Sequence, residues 1–129
     1  MRANTVCVVR TRGIAAGIAI SMVVAMPSVR AAEKLQQLGG AQIRAKLAGM
    51  ELSDGVHSRD TFERNGTLTS HGMGRKSAGT WRVKGDELCL APAKTEESCY
   101  VVWAAGTKVE LRRKGADLPL IEGTLRRPQ

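Results

Sequence analysis

Aromatic residues and histidines are scarce in this chain of 129 residues, which has one Phe, one Tyr, two Trp and two His. Nucleic-acid-binding domains use basic faces together with base-reading or stacking groups, so four aromatic residues give little support to that function. A zinc or copper centre needs at least three converging ligands. His57 and His71 stand beside turn residues in polar segments, and we expect no metal site.

Long hydrophobic runs are also missing. The longest, residues 14–26, has thirteen residues, whereas a transmembrane helix needs about 20. Arginines precede this run, and Pro27 and Val29-Arg30-Ala31 follow it, an order typical of a cleavable Sec-type signal peptide. A membrane anchor is the alternative that the short run disfavours. We predict a signal peptide over residues 1–31 and a single mature domain over residues 32–129, in the periplasm or secreted.

Half of the excess positive charge belongs to the predicted signal peptide. The whole chain has 20 basic and 12 acidic residues, a net charge of +8. Four of the basic residues and none of the acidic ones lie in residues 1–31, so the mature domain carries a net charge of +4. This modest charge weakens the case for nucleic-acid binding further, and we expect no nucleic-acid partner.

Of only three cysteines, Cys7 lies in the predicted signal peptide and would be lost with it. Cys89 and Cys99 remain, ten positions apart in a stretch with β-strand character. Neighbouring strands bring Cα atoms close enough for a disulfide. Two buried free thiols are the alternative, and no further metal ligands stand nearby. We predict a structural Cys89–Cys99 disulfide, typical of an oxidising compartment.

One short helix is predicted near the start of the mature domain. Residues 41–48 are good helix formers and place Ile43 and Leu47 on one face. Gly49 can end the helix in the left-handed conformation. Because so short a helix is unstable alone, we expect it to pack on a sheet or to plug it.

About eight short strands follow from Met50 onward, separated by turn residues at intervals of roughly 8–12 residues. Asn65-Gly66 predicts a type I′ hairpin, and Trp81 and Val83 alternate with charged neighbours. The predicted fold is mainly β, an antiparallel meander of about eight strands. It would form a small barrel or a sandwich, with a lipocalin- or streptavidin-like architecture.

Catalytic motifs are lacking. The serines are scattered, and no Gly-x-Ser-x-Gly nucleophile elbow occurs. Asp60 and Glu63 would fall on opposite faces of a strand, which is unsuitable for acid–base partnership. The segment from Gly72 to Lys76 has glycines and cations but not the spacing of a phosphate-binding loop. We predict no catalytic residues, no cofactor and no enzymatic activity.

Two groups of residues are candidates for binding. The first is basic and could form one rim if the last two strands pair; the other reading is a solvated edge whose charge blocks strand addition. Its members are Arg112, Arg113, Lys114, Arg126 and Arg127. The second group contains every aromatic residue and could line a ligand site or simply fill the core. Its members are Phe62, Trp81, Tyr100 and Trp103.

Three segments resemble a group of small secreted proteins of alphaproteobacteria that share a domain of unknown function. They are Leu38-Gly39-Gly40-Ala41-Gln42-Ile43 with Leu47-Ala48-Gly49, then Phe62 to Thr67, then Gly79-Thr80-Trp81-Arg82-Val83 with Leu88-Cys89 and Cys99-Tyr100. The resemblance implies a short helix followed by a small β domain and supplies no site residues. From the strand pattern we expect a non-enzymatic, exported domain that binds a small apolar ligand. The alternatives are an envelope protein-interaction module acting through the basic rim, or an enzyme of unknown type.

Overall fold

The structure, a computed structural model, describes residues 33–129, and the predicted signal peptide lies outside this range. One helix and nine strands occur in it. They are β1 Gln36–Gln37, α1 Gly40–Leu47, β2 Glu51–Ser53, β3 Ser58–Phe62, β4 Thr67–Gly72, β5 Arg75–Lys84, β6 Glu87–Ala91, β7 Ser98–Ala105, β8 Lys108–Arg112 and β9 Ile121–Arg126. The one helix within residues 33–129, α1, lacks the length and apolarity needed to cross a bilayer.

Eight antiparallel strands, β2 to β9, form a closed barrel. Each strand pairs with the next one in the chain, and β9 pairs with β2 to complete the ring. The short strand β1 pairs with the last part of β7, just beyond the position where β6 begins. The mainly β fold and the eight-stranded meander predicted from the sequence are therefore confirmed, and the barrel is the architecture adopted.

The barrel interior is filled by apolar side chains in the half that faces the helix. Side chains alternate between the two sides of a strand, so the cross-strand pairs Phe62–Leu68 and Trp81–Leu90 point inward together. Phe62 and Trp81 meet edge to face with ring centroids 5.5 Å apart. The buried apolar core consists of Ile43, Leu47, Leu52, Phe62, Leu68, Trp81, Leu88, Leu90, Val102, Ala104, Val109, Leu111 and Leu125.

Helix α1 covers one end of the barrel, here called the helix end. Ile43 and Leu47 are fully buried among the core side chains. At the start of the helix, the Gly40 N–H donates to Asp86 Oδ1 over 2.8 Å. A Cβ at Gly40 would lie 2.1 Å from the Gly85 carbonyl oxygen, so only glycine allows this close approach of the helix to the β5–β6 turn.

The ends of α1 are as the sequence predicts, within one residue. The Gly39 N–H donates to Gln42 Oε1 over 2.8 Å, which satisfies one donor at the helix start. Gly49 has a φ of 77°, the left-handed conformation expected after the last turn. Its N–H donates to the Phe62 carbonyl over 2.7 Å and ties the helix exit to the end of β3.

The predicted hairpin at Asn65-Gly66 is present, but the predicted turn type is wrong. A type I′ turn needs positive φ at both central residues, and here Gly66 has a φ of 91° while Asn65 is not in the left-handed region. Asn65 Oδ1 accepts the Thr67 N–H over 2.9 Å instead. The type I′ geometry occurs in the β4–β5 turn, where Met73 (φ 49°) and Gly74 (φ 74°) are both left-handed.

The predicted disulfide joins Cys89 of β6 to Cys99 of β7. The two residues are direct cross-strand partners with Cα atoms 4.0 Å apart. The bridge lies on the outer face of the barrel, because Cys89 is also the cross-strand partner of Arg82 in β5, whose side chain is exposed. Glu97 is within 4.8 Å of both cysteines, but its carboxylate accepts two hydrogen bonds from Arg82. The sulfur atoms are already bonded to each other, so this cluster is a disulfide and not a metal site.

Replacing both Cys89 and Cys99 by alanine should lower the free energy of unfolding by about 2–3 kcal/mol, because the unfolded chain loses a constraint on a loop of eleven residues. Urea denaturation measures the change. Reduction of the wild-type protein should lower the stability by a similar amount. Equal midpoints for the oxidised wild type and the double variant would contradict the structural role of the bridge.

Replacing Leu47 by alanine should lower the free energy of unfolding by about 2–5 kcal/mol, because Leu47 is fully buried where the helix covers the barrel. Arg44, exposed on the same helix, provides the matched control, and Arg44→Ala should change the stability by less than about 0.5 kcal/mol. Both values come from urea denaturation. Similar effects of the two substitutions would show that α1 does not seal the barrel.

Candidate functional site

The end of the barrel opposite α1, here called the open end, is formed by four loops. These are the β2–β3 loop (54–57), the β4–β5 turn (73–74), the β6–β7 loop (92–97) and the β8–β9 loop (113–120). On β3, β4, β5 and β7 the inward-facing positions near this end are polar and are half-buried or exposed. They are Asp60, Ser70, Ser77 and Ser98. The apolar core therefore stops short of the open end on these strands, whereas Leu111 and Ile121 continue it toward this end on β8 and β9.

A row of cations crosses the outer face of the barrel near the open end. Arg59 of β3 is the direct cross-strand partner of His71 in β4, and His71 is the partner of Lys76 in β5. Ser53 of β2 extends the row on the other side of Arg59. Side chains in such a row point the same way, with neighbouring Cβ atoms about 5 Å apart. Three strands thus present Arg, His and Lys side by side.

This row lies in a groove of about 520 Å³ between the β2–β3 loop and the β4–β5 turn. Arg75 and Arg126 also line the groove, and no carboxylate is among its described lining residues. We call this feature the cationic groove and define it by Arg59, His71, Arg75, Lys76 and Arg126. A second groove of about 430 Å³ adjoins it and has mixed charge, since its lining includes Asp54, Glu122 and Lys108.

Most of the positive charge of the cationic groove has no partner within the described chain. Four ion pairs form within residues 33–129, and none of them includes Arg59, Arg75 or Lys76. Only Arg126 is paired, with Nε 2.7 Å from Glu51 Oε1. Arg59 and Lys76 stand on either side of His71, so no acidic side chain of the row separates them. The arrangement therefore favours any anion that enters the groove.

The Asp54 carboxylate organises the β2–β3 loop beside this groove. Its Oδ1 accepts the N–H groups of Val56, His57 and Ser58 over 2.8–2.9 Å. Oδ2 accepts the Ser58 hydroxyl. These bonds hold the pKa of Asp54 well below its usual value of 3.8. The bond from the Ser58 N–H contributes most, followed by those from Val56 and His57.

The predicted basic rim is divided between the two ends of the barrel. Strands β8 and β9 are antiparallel, with Lys108 opposite Thr124 and Leu111 opposite Ile121. Arg112, Arg113 and Lys114 consequently lie toward the open end, whereas Arg126 and Arg127 lie toward the helix end. The pairing of the last two strands separates the two groups and does not bring them together. Of these residues, only the Arg126 side chain lines the cationic groove.

Arg112 contacts two side chains that lie with it on the outer face of the barrel. Its Nη2 lies 2.6 Å from Glu110 Oε2, and its guanidinium carbon lies 4.7 Å from the centre of the Trp103 ring. Glu110 is only 4% exposed and also contacts Lys108. The hydrogen bonds from Arg112, and then those from Lys108, lower the pKa of Glu110. Arg112 is thus engaged in the structure, while Arg113 and Lys114 are exposed.

The four aromatic residues do not line a common site. Phe62 and Trp81 belong to the core, where the Trp81 Nε1–H donates to the Glu63 carbonyl over 2.8 Å. Tyr100 is partly buried against the core. Trp103 lies on the outer face under Arg112. None of them lines either groove at the open end.

Sequence reasoning missed the row formed by Arg59, His71 and Lys76. The sequence places His71 beside turn residues, and the segment from Gly72 to Lys76 shows only that it lacks the spacing of a phosphate-binding loop. The signal that could have found the row is the register of two hairpins. Counting outward from the turns places Arg59 opposite His71 and His71 opposite Lys76, but this count depends on the correct loop length for the first hairpin.

The carboxyl group of Asp54 should titrate well below pH 3.8, because the backbone N–H groups stabilise its ionised form. A lowered folded-state pKa adds stability above the unfolded-state value, and this stability is lost as the pH falls from there toward the folded-state pKa. The stability difference between wild type and Asp54→Ala should therefore be constant above about pH 5 and shrink below about pH 4. Carbon-detected NMR of Asp54 gives the pKa directly, and a midpoint near 3.8 would contradict this account.

Comparisons of this chain with models of protein families, with curated proteins and with solved structures yielded no match. The resemblance to small secreted proteins of alphaproteobacteria therefore stays a prediction from the sequence.

Proposed function

We propose that this chain is an exported, non-enzymatic binding domain that holds a multivalent anionic ligand in its cationic groove. One observation carries the proposal: Arg59, His71 and Lys76 are consecutive cross-strand neighbours on one face. Arg59 and Lys76 stand two strands apart, about 10 Å. Their long side chains can both reach an anion placed between them. His71, which lies in the middle of the row, adds a ring N–H that can donate to the same anion.

Binding is favoured over catalysis by the kinds of groups in the groove. Its side chains include cations, two imidazoles and hydroxyls, which suit the recognition of phosphate or carboxylate oxygens. A hydrolytic site would pair a nucleophile with an oriented base, and no carboxylate stands among the described lining residues to orient His57 or His71. Strands of a closed barrel hold the charges at fixed spacing, so little order has to be imposed when the ligand binds.

The disulfide supports export. Disulfides persist in oxidising compartments such as the periplasm and the extracellular space, and are rare in the cytosol. The Cys89–Cys99 bridge is formed by direct cross-strand partners within the barrel. The bridge is therefore compatible with the periplasmic or secreted location in our proposal, which the predicted signal peptide also favours.

The small apolar ligand predicted from the sequence stays a prediction. An eight-stranded barrel can hold one small ligand or be filled by its own side chains. Here the half of the interior that faces α1 is occupied by core residues such as Phe62, Leu88 and Val102, all fully buried. An apolar ligand would have to displace part of this core. The cationic groove requires no such rearrangement, which is why we prefer an anionic ligand.

Binding of inorganic tripolyphosphate, a multivalent phosphate probe, tests the proposal. Addition of the probe should shift the amide NMR signals of Arg59, His71 and Lys76. The double variant Arg59→Gln/Lys76→Gln should bind the probe about tenfold more weakly, and its unfolding free energy should not fall, because neither residue takes part in an ion pair within the described residues. Binding should weaken as salt is added, since these charges are exposed.

A matched control removes the same net charge from the helix end. Arg44 and Lys84 are exposed there, and Arg44→Gln/Lys84→Gln should leave the affinity within about twofold of wild type. If the control variant lost as much affinity as the groove variant, the probe would be responding to net charge alone. The proposal would then be wrong, as it would be if no signal of the groove shifted.

A further inference from the structure

The large apolar side chains that are most exposed within residues 33–129 all lie at the open end. Met73 is 92% exposed, Leu118 80%, Val56 79% and Leu120 55%. Scattered single apolar residues are normal on a protein surface. Four of them at one end of a domain of this size are a local concentration of the kind that marks an interaction site. We call these four residues the apolar tips.

The apolar tips sit on three loops that are neighbours around the barrel. Val56 is in the β2–β3 loop, Met73 in the β4–β5 turn, and Leu118 and Leu120 in the β8–β9 loop. Pairing of β9 with β2, and of β3 with β4, places these loops side by side. The tips therefore lie on three consecutive loops along one part of the rim of the open end.

The local conformation of Met73 argues that its side chain is there to contact something outside the chain. Met73 and Gly74 are the two central residues of a type I′ turn, with φ values of 49° and 74°. Asn and Gly are the residues that favour this turn, and a long apolar side chain with positive φ is unusual. Met73 neither suits its turn nor packs in the core, being 92% exposed.

Positive charge accompanies the apolar tips. Arg75 and Lys76 directly follow the Met73-Gly74 turn, and Arg113 and Lys114 begin the loop that carries Leu118 and Leu120. All four cations are exposed, and none of them takes part in an ion pair within the described residues. Two acids share these loops, Asp117 and the Asp54 that is already engaged by backbone N–H groups.

We propose that the open end docks on the surface of an anionic lipid bilayer, with the apolar tips inserted at the headgroup boundary and the four cations on lipid phosphates. This inference rests on the proposed function, because Arg75 and Lys76 also belong to the cationic groove. It names the anion as a lipid headgroup in a surface, and not as a free phosphate.

A bilayer fits these observations better than a protein partner does. The tips are separate side chains on protruding loops, and interfacial lipid accepts isolated apolar groups at a depth of about 5–10 Å. A protein partner would need a continuous, complementary patch of about 800 Å². Unpaired cations around apolar tips match an anionic surface, where each adds to the attraction.

Methionine methyl NMR of the full chain tests the docking directly. The protein is labelled with ¹³C at its methionine methyl groups and mixed with bicelles of phosphatidylglycerol and phosphatidylcholine that contain a spin-labelled lipid. The Met73 signal should lose most of its intensity. The Met50 signal should be little affected, because Met50 is packed against the core at the helix end. Bicelles of phosphatidylcholine alone should have a much smaller effect on Met73.

Variants separate the apolar and charged contributions. Met73→Asn should lower the affinity for the anionic bicelles about tenfold and should not destabilise the fold, because Asn favours the left-handed turn position. Lys114→Gln should lower the affinity about fivefold. Lys84→Gln, at the helix end, should leave it unchanged.

The outcomes distinguish this inference from the proposal on which it rests. If tripolyphosphate shifts the NMR signals of the groove but the Met73 signal is not lost in anionic bicelles, the docking is overturned. The anion-binding function then stays in place. Absence of both effects would overturn both. Equal loss of the Met50 and Met73 signals, or an affinity unaffected by Met73→Asn, would also overturn the docking.

Discussion

The pairing of β9 with β2 is the interaction on which the rest of the structure depends. Leu52 stands opposite Leu125 across this seam, so closing the ring also completes the apolar interior. A sheet that remained open here would expose two strand edges to other chains. Closure fixes the order of the loops around the barrel, and through that order it places the cationic groove and the apolar tips at the same end.

The two ends of the barrel then take different roles. At the helix end, α1 inserts Ile43 and Leu47 into the core, and Lys46 Nζ donates to the Gly106 carbonyl over 2.6 Å. This end is sealed by packing. At the open end the core gives way to polar residues on β3, β4, β5 and β7, and the loops carry unpaired cations and exposed apolar groups. The disulfide joins β6 to β7 on the outer face of the barrel. Neither cysteine lines the cationic groove or belongs to the apolar tips, which fits a structural role and not a role in binding.

Much of the fold could be predicted because its signals are local. The period-2 alternation around Trp81, the glycine that ends α1 and the two cysteines in adjacent strands each specify structure within about ten residues. Closure into a barrel depends on the distant pairing of β2 with β9, and the alternation alone fits a sandwich equally well. The type I′ turn was assigned to Asn65-Gly66 because of residue preference, whereas loop length places it at Met73-Gly74, against that preference.

The candidate site was harder to predict because it arises from register. Arg59, His71 and Lys76 are unremarkable in sequence and become neighbours only when two hairpins pair in their observed alignment. The basic residues that do cluster in sequence, around Arg112 and Arg126, lie at opposite ends of two antiparallel strands.

The most direct test of a one-ended binding domain is amide hydrogen exchange with and without tripolyphosphate. Our account predicts added protection in β3, β4 and the start of β5, and none around α1. Protection confined to the helix end, or spread evenly over the barrel, would contradict it.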